Sequence, residues 1–192
     1  MEGTRERLLQ ATMREFNLLG PMVPMARISQ EAGIAAGTPF RYFKTKEELL
    51  RATYLYARES ALSVIPQEDT AAMNAMQLVK HIVGGILYWS AVCPQEHQYV
   101  CKYEDMVCYD CFETRFHDEL YVGVIEEMNI WPKLQAELRS DLPESLISRL
   151  ISVNCSVYAR FIRHNGYGVD SPEFRAMQSA SADSIWNSIR RI

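Results

Sequence analysis

The sequence predicts an all-α fold. Apolar residues recur three and four positions apart along most of the 192-residue chain, which is the spacing of a helix face. No Asn-Gly or Asp-Gly turn joins runs of alternating apolar and polar residues, as a β-hairpin would require. We therefore expect an N-terminal unit of three helices followed by a longer C-terminal helical domain.

The chain begins with a longer predicted helix that is closely followed by a short one. Thr4 is the predicted cap of the first helix, which carries Leu8, Thr12 and Phe16 on one face and ends at Gly20-Pro21. A short helix follows over residues 25–32, and Gly33 stops it.

A second short helix is predicted over residues 36–43. Thr45 then opens a longer helix that extends to about Leu62, with Glu48 completing a capping box three residues later. Pro66 and the polar residues after it mark the boundary between a domain at 1–62 and a domain at 63–192.

The C-terminal domain is predicted to contain longer helices. Their expected ranges are 71–92, 95–130 with at least one interruption, 143–164 and 172–191. The last two are the best delimited, because Asn165-Gly166 ends one and Ser171-Pro172 begins the other.

Composition and charge narrow the class of protein. Hydrophobic residues make up 48% and charged residues 23%, which argues against disorder. The apolar stretch 82–92 contains two glycines and is too short to span a bilayer, and the N-terminus lacks the apolar core of a secretion signal. We expect a cytoplasmic protein whose five cysteines are thiols.

The two predicted domains differ in charge. Residues 1–62 carry nine basic and seven acidic residues, whereas residues 63–192 carry eleven and seventeen. The first domain is therefore mildly basic and the second is acidic. Any contact with nucleic acid must come from individually placed residues and not from bulk charge.

A helix, a turn that contains glycine and a second short helix follow one another with the spacing of a helix-turn-helix. This pattern is weak evidence for that motif by itself. The stretch from Ile28 to Leu49, ISQEAGIAAGTPFRYFKTKEEL, is more specific. It resembles the signature of the TetR family of transcriptional regulators: an Ala-Gly turn, a Gly-Thr-led recognition helix, an aromatic YF-type end and a Lys-Glu-x-Leu start of the next helix. The likeness covers about 45 residues when the first helix is counted.

The resemblance implies that the chain binds double-stranded operator DNA as a homodimer and that a small molecule releases it. Arg41 is the candidate for base reading, since its guanidinium can pair with guanine in a major groove about 12 Å wide. Tyr42 resembles the family's phosphate-contacting tyrosine, and Lys46 lies at a helix N-terminus that favours anions. The DNA-contact set is Arg27, Gln30, Ala36, Gly37, Thr38, Arg41, Tyr42 and Lys46.

Three residues depart from the family pattern. Ala35 stands where a capping serine or threonine is frequent, and Phe40 stands where tyrosine is frequent. Pro39 removes an amide donor from a very short helix, so the recognition helix is expected to begin as a looser 3₁₀ turn. Five other residues of this region, Phe16, Ile28, Ala32, Phe43 and Leu49, are predicted core.

Residues 86–116 are rich in aromatic residues, methionine and cysteine. Such side chains suit a pocket for an aromatic molecule, and the acidic excess of this domain favours a cationic one, although most of these residues must also form core. The candidate ligand-binding residues are Tyr88, Trp89, Tyr99, Tyr103, Met106, Tyr109, Phe112 and Phe116.

Cysteines suggest an alternative signal. His97, Cys101, Glu104, Cys108 and Cys111 form one stripe on a continuous helix. Cys101 and Cys108 would lie about 10 Å apart, too far to share one metal ion, so a single site that uses the whole stripe is excluded unless the helix breaks, and no metal ligand or cofactor is assigned. Cys108 and Cys111 remain candidates for a redox or metal pair, with small buried core residues as the commoner outcome.

The last two helices are the predicted dimer interface. One presents Leu146, Leu150, Val153, Val157 and Phe161, and the other carries Ala176, Ala180 and Ser184 at intervals of four. Two copies would form a four-helix bundle, as the resemblance implies. An enzyme is the less favoured alternative, because neither a Ser-His-Asp arrangement nor a phosphate-binding glycine loop is evident.

Overall fold

The structure is a computed structural model, and it describes residues 3–65, 70–110 and 134–191. Every regular element in those ranges is helical, which confirms the all-α prediction. The α-helices are α1 (Thr4–Leu19), α2 (Met25–Glu31), α3 (Lys46–Val64), α4 (Ala75–Val92), α5 (Pro94–Asp110), α6 (Glu144–Asn165) and α7 (Pro172–Ile189). Short 3₁₀ turns occupy Gly20–Met22, Pro39–Arg41 and Thr70–Ala72.

Two of the predicted helix starts need correction. Thr4 is the first residue of α1 and not its cap, because Gly3 holds the N-cap position without a side-chain hydrogen bond. α4 begins at Ala75, four residues later than predicted. Its start is fixed by a capping box in which the Gln77 amide donates to Asn74 Oδ1 and the Asn74 amide donates to Gln77 Oε1, both at 2.9 Å.

The ends of α6 and α7 follow the sequence signals. Gly166 has a φ of 68°, and the Tyr167 amide donates to the Ile162 carbonyl at 3.1 Å, as in a Schellman motif. Ser171 Oγ accepts the Phe174 amide at 3.1 Å and so caps α7. The predicted helix over 95–130 is observed as α5, and the rest of that range lies outside the described residues.

Contacts divide the chain into two compact units: Met1–Val64 with Cys93–Tyr109, and Ile65–Val92 with Asp110–Ile192. α5 therefore groups with the N-terminal helices, although it follows the predicted boundary at residue 62. The independent domains 1–62 and 63–192 stay a prediction. No helix in the described part of the chain is long and apolar enough to cross a membrane.

Each unit has its own core. In the first, the five predicted core residues Phe16, Ile28, Ala32, Phe43 and Leu49 are all at most 5% exposed, which confirms them. In the second, α4, α6 and α7 pack around residues that include Leu78, Val83, Leu87, Ile151, Cys155, Phe174 and Ile185. These positions follow the helical repeat, so one face of each helix supplies the core.

Candidate nucleic-acid interface

The turn after α2 is built by a glycine. Gly33 has a φ of 65°, the left-handed region that side chains rarely adopt. The Ile34 amide donates to the Ser29 carbonyl at 3.0 Å and the Gly33 amide to the Gln30 carbonyl at 3.1 Å. This Schellman motif ends α2 and directs the chain into residues 36–43, which we call the recognition segment.

The recognition segment is shorter than the helix predicted over residues 36–43. Only Pro39–Arg41 forms a regular element, and it is a 3₁₀ turn. The Arg41 amide donates to the Thr38 carbonyl at 3.1 Å, and the Phe43 amide donates to Pro39 at 3.0 Å. Pro39 has no amide hydrogen to start an α-helical ladder, which is the physical reason for the short turn.

The predicted contact residues of this segment lie at the surface. Gln30, Ala36, Gly37 and Arg41 are exposed, and Thr38 is half-buried. Tyr42 is 44% exposed. The segment therefore presents a guanidinium, two hydroxyls and uncovered backbone to solvent, which are groups that suit contacts with phosphates and base edges.

Arg27 is already engaged within the protein. Its Nε lies 2.6 Å from Glu15 Oε2, and Glu15 is only 5% exposed. A buried carboxylate without a partner is costly, so this ion pair holds α2 against α1. Arg14 Nε and Glu31 Oε1 form a second link at 2.8 Å. The structure thus gives Arg27 a positioning contact beside its predicted role toward DNA.

Lys46 and the start of α3 are also tied into the unit. Lys46 Nζ donates to the Pro21 carbonyl at 2.6 Å. Thr45 Oγ1 accepts the Glu48 amide at 3.1 Å, as the capping box predicts, whereas Glu48 Oε2 accepts the Lys44 amide at 2.7 Å, one residue earlier than expected. The Glu47 backbone amide and the Thr45 hydroxyl lower the pKa of Glu47. Carboxylates thus already occupy part of this helix N-terminus.

Sequence reasoning missed two exposed side chains near the recognition turn. Phe40 is 55% exposed and lies next to Arg41. The Arg5 guanidinium lies 5.6 Å from the centre of the Phe43 ring, a cation–π contact that places a cation beside the recognition segment. The basic residues ahead of Leu8 were the only sequence signal for Arg5.

The predicted ligand residues fall in different places. Tyr88 lines a cavity of about 480 Å³ between α4 and α7, whereas Trp89 is a buried residue of α4. Met106 of α5 is half-buried. The Tyr109 side chain and residues Phe112 and Phe116 lie outside what the structure describes.

Tyr99 and Tyr103 belong to the core of the first unit. They are 0% and 4% exposed, their rings stack 6.1 Å apart, and Phe16 lies 4.8 Å from Tyr99. The Tyr99 hydroxyl donates to the Leu50 carbonyl at 2.9 Å. Burial, together with the neighbouring Tyr103, raises the pKa of Tyr99. These two tyrosines thus belong to the first unit, whereas Tyr88 belongs to the second.

The cysteine stripe is only partly described. His97 Nε2 lies 3.7 Å from Cys101 Sγ, and Glu104 Oε1 accepts the Tyr54 hydroxyl at 3.0 Å. Within the described ranges, no three His, Cys, Asp or Glu side chains are grouped to hold a metal ion. The Cys108 side chain and Cys111 lie outside those ranges, so their redox role stays a prediction.

Known proteins resemble this chain in sequence over residues 8–53 and in fold over nearly its whole length. The model of the family described as bacterial regulatory proteins, tetR family, matches residues 8–53. A protein described as a TetR-family transcription regulator from Shewanella sp. PV-4 has the same fold, with a TM-score of 0.78 and 19% identity over 99% of this chain and all of its own.

Two further solved structures agree. A TetR-family transcription regulator from Marinobacter aquaeolei VT8 aligns with a TM-score of 0.71 and 16% identity, over 98% of this chain and 96% of its own. A protein described as a TetR-family transcriptional regulator from Vibrio parahaemolyticus aligns with a TM-score of 0.69 and 19% identity, over 99% of this chain and all of its own. At these identities the likeness establishes the fold.

Proposed function

We propose that this chain, which carries the TetR-family N-terminal domain at residues 8–53 and has the fold of TetR-family transcription regulators, is a repressor. It binds operator DNA as a homodimer and leaves it when a small molecule binds. The observation that carries the proposal is the recognition segment, whose polar side chains and uncovered backbone face solvent while Pro39 and Phe43 are buried.

We assign each DNA contact from the polar groups that the side chain or the backbone presents to solvent. Arg41 reads a base edge, with guanine as the preferred partner. Thr38 and Tyr42 bond phosphate oxygens, and the backbone at Ala36 and Gly37 approaches the duplex closely. Gln30 supports them from α2. Arg27 and Lys46 use their remaining N–H groups for phosphates while holding the unit together.

Dimerisation through α6 and α7 supplies the second reading segment. α6 buries one apolar face that includes Ile147, Ile151 and Cys155. Its other apolar residues are 36–50% exposed in the single chain: Leu146, Leu150, Val153, Val157 and Phe161. Small residues Ala176, Ala180 and Ser184 on α7 are also exposed. Pairing these surfaces in a four-helix bundle would cover the exposed apolar residues. It would also hold two recognition segments at a fixed separation that matches a palindromic operator.

Release by the ligand requires two states of the dimer. In the mechanism that the family resemblance implies, the ligand favours a state in which α3 has shifted and the two readers no longer match the operator. The ligand must bind that state more tightly, since equal affinity for both would leave the DNA-bound fraction unchanged. We extend the proposal to a cytoplasmic protein without a catalytic role, as expected of a DNA-binding regulator.

Operator binding by Arg41 variants tests this proposal. The full-length protein is titrated against DNA from upstream of its own gene and against shuffled DNA, at several salt concentrations. We expect Arg41→Ala to weaken specific binding by at least about tenfold and to relax the preference for guanine at one position of each half-site. Arg139→Ala removes the same charge from an exposed pair with Asp141 and serves as control.

Two results would contradict the proposal. Equal affinity of the wild-type protein for upstream and shuffled DNA at moderate salt would contradict the proposed regulatory role. Identical isotherms for Arg41→Ala and wild type would remove Arg41 from the contact set while leaving the role in place.

A further inference from the structure

A groove runs along α4 in the second unit. Its volume is about 480 Å³, and one side chain of α7 closes its far wall. The groove is lined by Met73, Gln77, Lys80, His81, Gly84, Gly85, Tyr88 and Gln178. Lys80 and Tyr88 are eight residues apart, so about 12 Å of helix separates a cationic end from an aromatic end.

Two glycines shape the groove floor, and packing requires only one of them. A Cβ at Gly85 would lie 2.8 Å from Ile65 Cγ2, so glycine is needed there for packing. A Cβ at Gly84 would meet only Gln178 Nε2, at an ordinary contact distance of 3.7 Å. The Gln178 amide donates to the Gly84 carbonyl at 3.0 Å and is thereby fixed at the groove wall. Gly84 therefore leaves open space that the fold itself does not demand.

Among the described residues, the charge that lines the groove is positive. Lys80 is a full cation, and the described lining contains neither aspartate nor glutamate. The nearest assigned partner of Lys80 is Asp183 on α7, whose Oδ1 lies 3.6 Å from Nζ, with both side chains about half exposed. Exposed pairs at this distance contribute little, so the ammonium is able to turn toward a ligand.

From this lining we propose that the groove binds a small organic anion, a carboxylate whose acid group pairs with Lys80 and whose apolar body lies along Gly84 toward Tyr88. Binding of the anion does not depend on the proposed repressor function. Only the role of the anion as the effector rests on that function. It reverses the charge that composition predicted, because none of the described residues that line the groove is acidic, although residues 63–192 as a whole carry an acidic excess.

A pair of probes that differ in charge tests the proposal. Indole-3-acetate and tryptamine share a ring system and a similar length, and each is titrated into full-length protein by calorimetry. We expect indole-3-acetate to bind about tenfold or more tightly than tryptamine, as one well-placed charge-assisted contact allows. Lys80→Gln should weaken indole-3-acetate about fivefold and leave tryptamine unchanged.

Two variants separate a groove contact from general effects of charge. Asp183→Asn removes the carboxylate that competes for Lys80, so indole-3-acetate should bind more tightly than to wild type. Arg139→Gln removes one positive charge of the same unit outside the groove and should change neither affinity. A merely structural role of Lys80 would not produce the gain in Asp183→Asn.

The outcomes are distinguishable from those of the repressor proposal. Equal affinity for both probes, tighter tryptamine binding, an unaltered Lys80→Gln isotherm, or binding of neither probe below about 1 mM would overturn the anion site. Operator binding is measured on the same samples without probe. Loss of specific DNA binding alongside normal indole-3-acetate binding would overturn only the repressor.

Discussion

Gly33 and Gly37 flank the start of the recognition segment and differ in what requires them. Gly33 adopts a φ of 65°, so a side chain there is strained. Gly37 has no such φ, and a Cβ built on it meets nothing within 4 Å. The fold therefore explains Gly33, while the requirement at Gly37 would come from outside the chain.

This difference gives a matched pair of variants. Gly33→Ala should lower the free energy of unfolding by about 1 kcal/mol, because alanine is disfavoured in the left-handed region. Gly37→Ala should leave stability unchanged and weaken operator binding, because its methyl group would separate the backbone from DNA. Urea unfolding and operator titration of both proteins measure the two effects. Full DNA affinity in Gly37→Ala would count against close backbone approach.

Phe40 supports a prediction about operator sequence. A phenyl ring that is 55% exposed beside Arg41 suits apolar contact with the thymine methyl group in the major groove. We expect Phe40→Ala to lose preference for thymine over uracil at one position of each half-site, by about 1 kcal/mol or less. Binding selections with thymine- and uracil-containing operators measure this. Phe40→Leu, which keeps an apolar side chain, should retain part of the preference.

At the scale of elements, α5 is fastened to α3 by buried tyrosines. The Tyr99 hydroxyl donates to Leu50 and the Tyr54 hydroxyl donates to Glu104. Tyr103 lies between them, with its ring centre 5.0 Å from that of Tyr54. Burial raises the pKa of both Tyr99 and Tyr103, because an ionised phenol would lose its water there.

The raised pKa values predict a loss of stability in alkali. The folded protein favours the neutral phenol, so this stability is complete below the ordinary tyrosine pKa of 10.0 and declines as pH rises above it. Each buried tyrosine contributes a slope of about 1.4 kcal/mol per pH unit there. Tyr99→Phe should lower stability at pH 8 by about 1 kcal/mol through the lost hydrogen bond and should flatten the alkaline decline.

Urea unfolding at about pH 8 and about pH 11, on either side of the ordinary tyrosine pKa, checks this. Tyr42→Phe, at a tyrosine that is 44% exposed, is the control and should follow the wild-type decline. An alkaline slope in Tyr99→Phe as steep as in wild type would show that another group titrates.

At the scale of the whole molecule, the proposed dimer depends on the second apolar face of α6. Val157 lies in the middle of this face and is 50% exposed, and Val92 at the end of α4 is 40% exposed outside it. Lysine at position 157 would bury a charge in the bundle, which is strongly unfavourable without a partner. Lysine at position 92 would remain in solvent.

We therefore expect Val157→Lys to be a folded monomer with greatly weakened operator binding, and Val92→Lys to remain a dimer with normal binding. Sedimentation velocity gives the oligomeric state, circular dichroism confirms the helices, and operator titration gives the affinity. A dimeric Val157→Lys protein would place the interface elsewhere on the chain.

Much of the fold was predictable because helical periodicity reports which face of a helix is buried. Leu8, Thr12 and Phe16 on α1 are all at 0% exposure, as their spacing predicts. The recognition segment was predictable in position and in its 3₁₀ start, but not in length: an eight-residue helix was expected, and a three-residue 3₁₀ turn at Pro39–Arg41 is observed. Local capping also followed from sequence, apart from the starts of α1 and α4.

The sequence by itself determined the helices, their buried faces and the resemblance of residues 28–49 to a DNA-reading motif, since these depend on interactions between residues close in the chain. Only the tertiary structure decided what each buried face packs against. It put Tyr99 and Tyr103 in the core of the first unit and placed Lys80 in the α4 groove, with no carboxylate among the described residues that line it. The periodicity of apolar residues predicts which face of a helix is buried, but not which helix that face packs against. The packing partners and the charges around a groove come from residues that are distant in sequence.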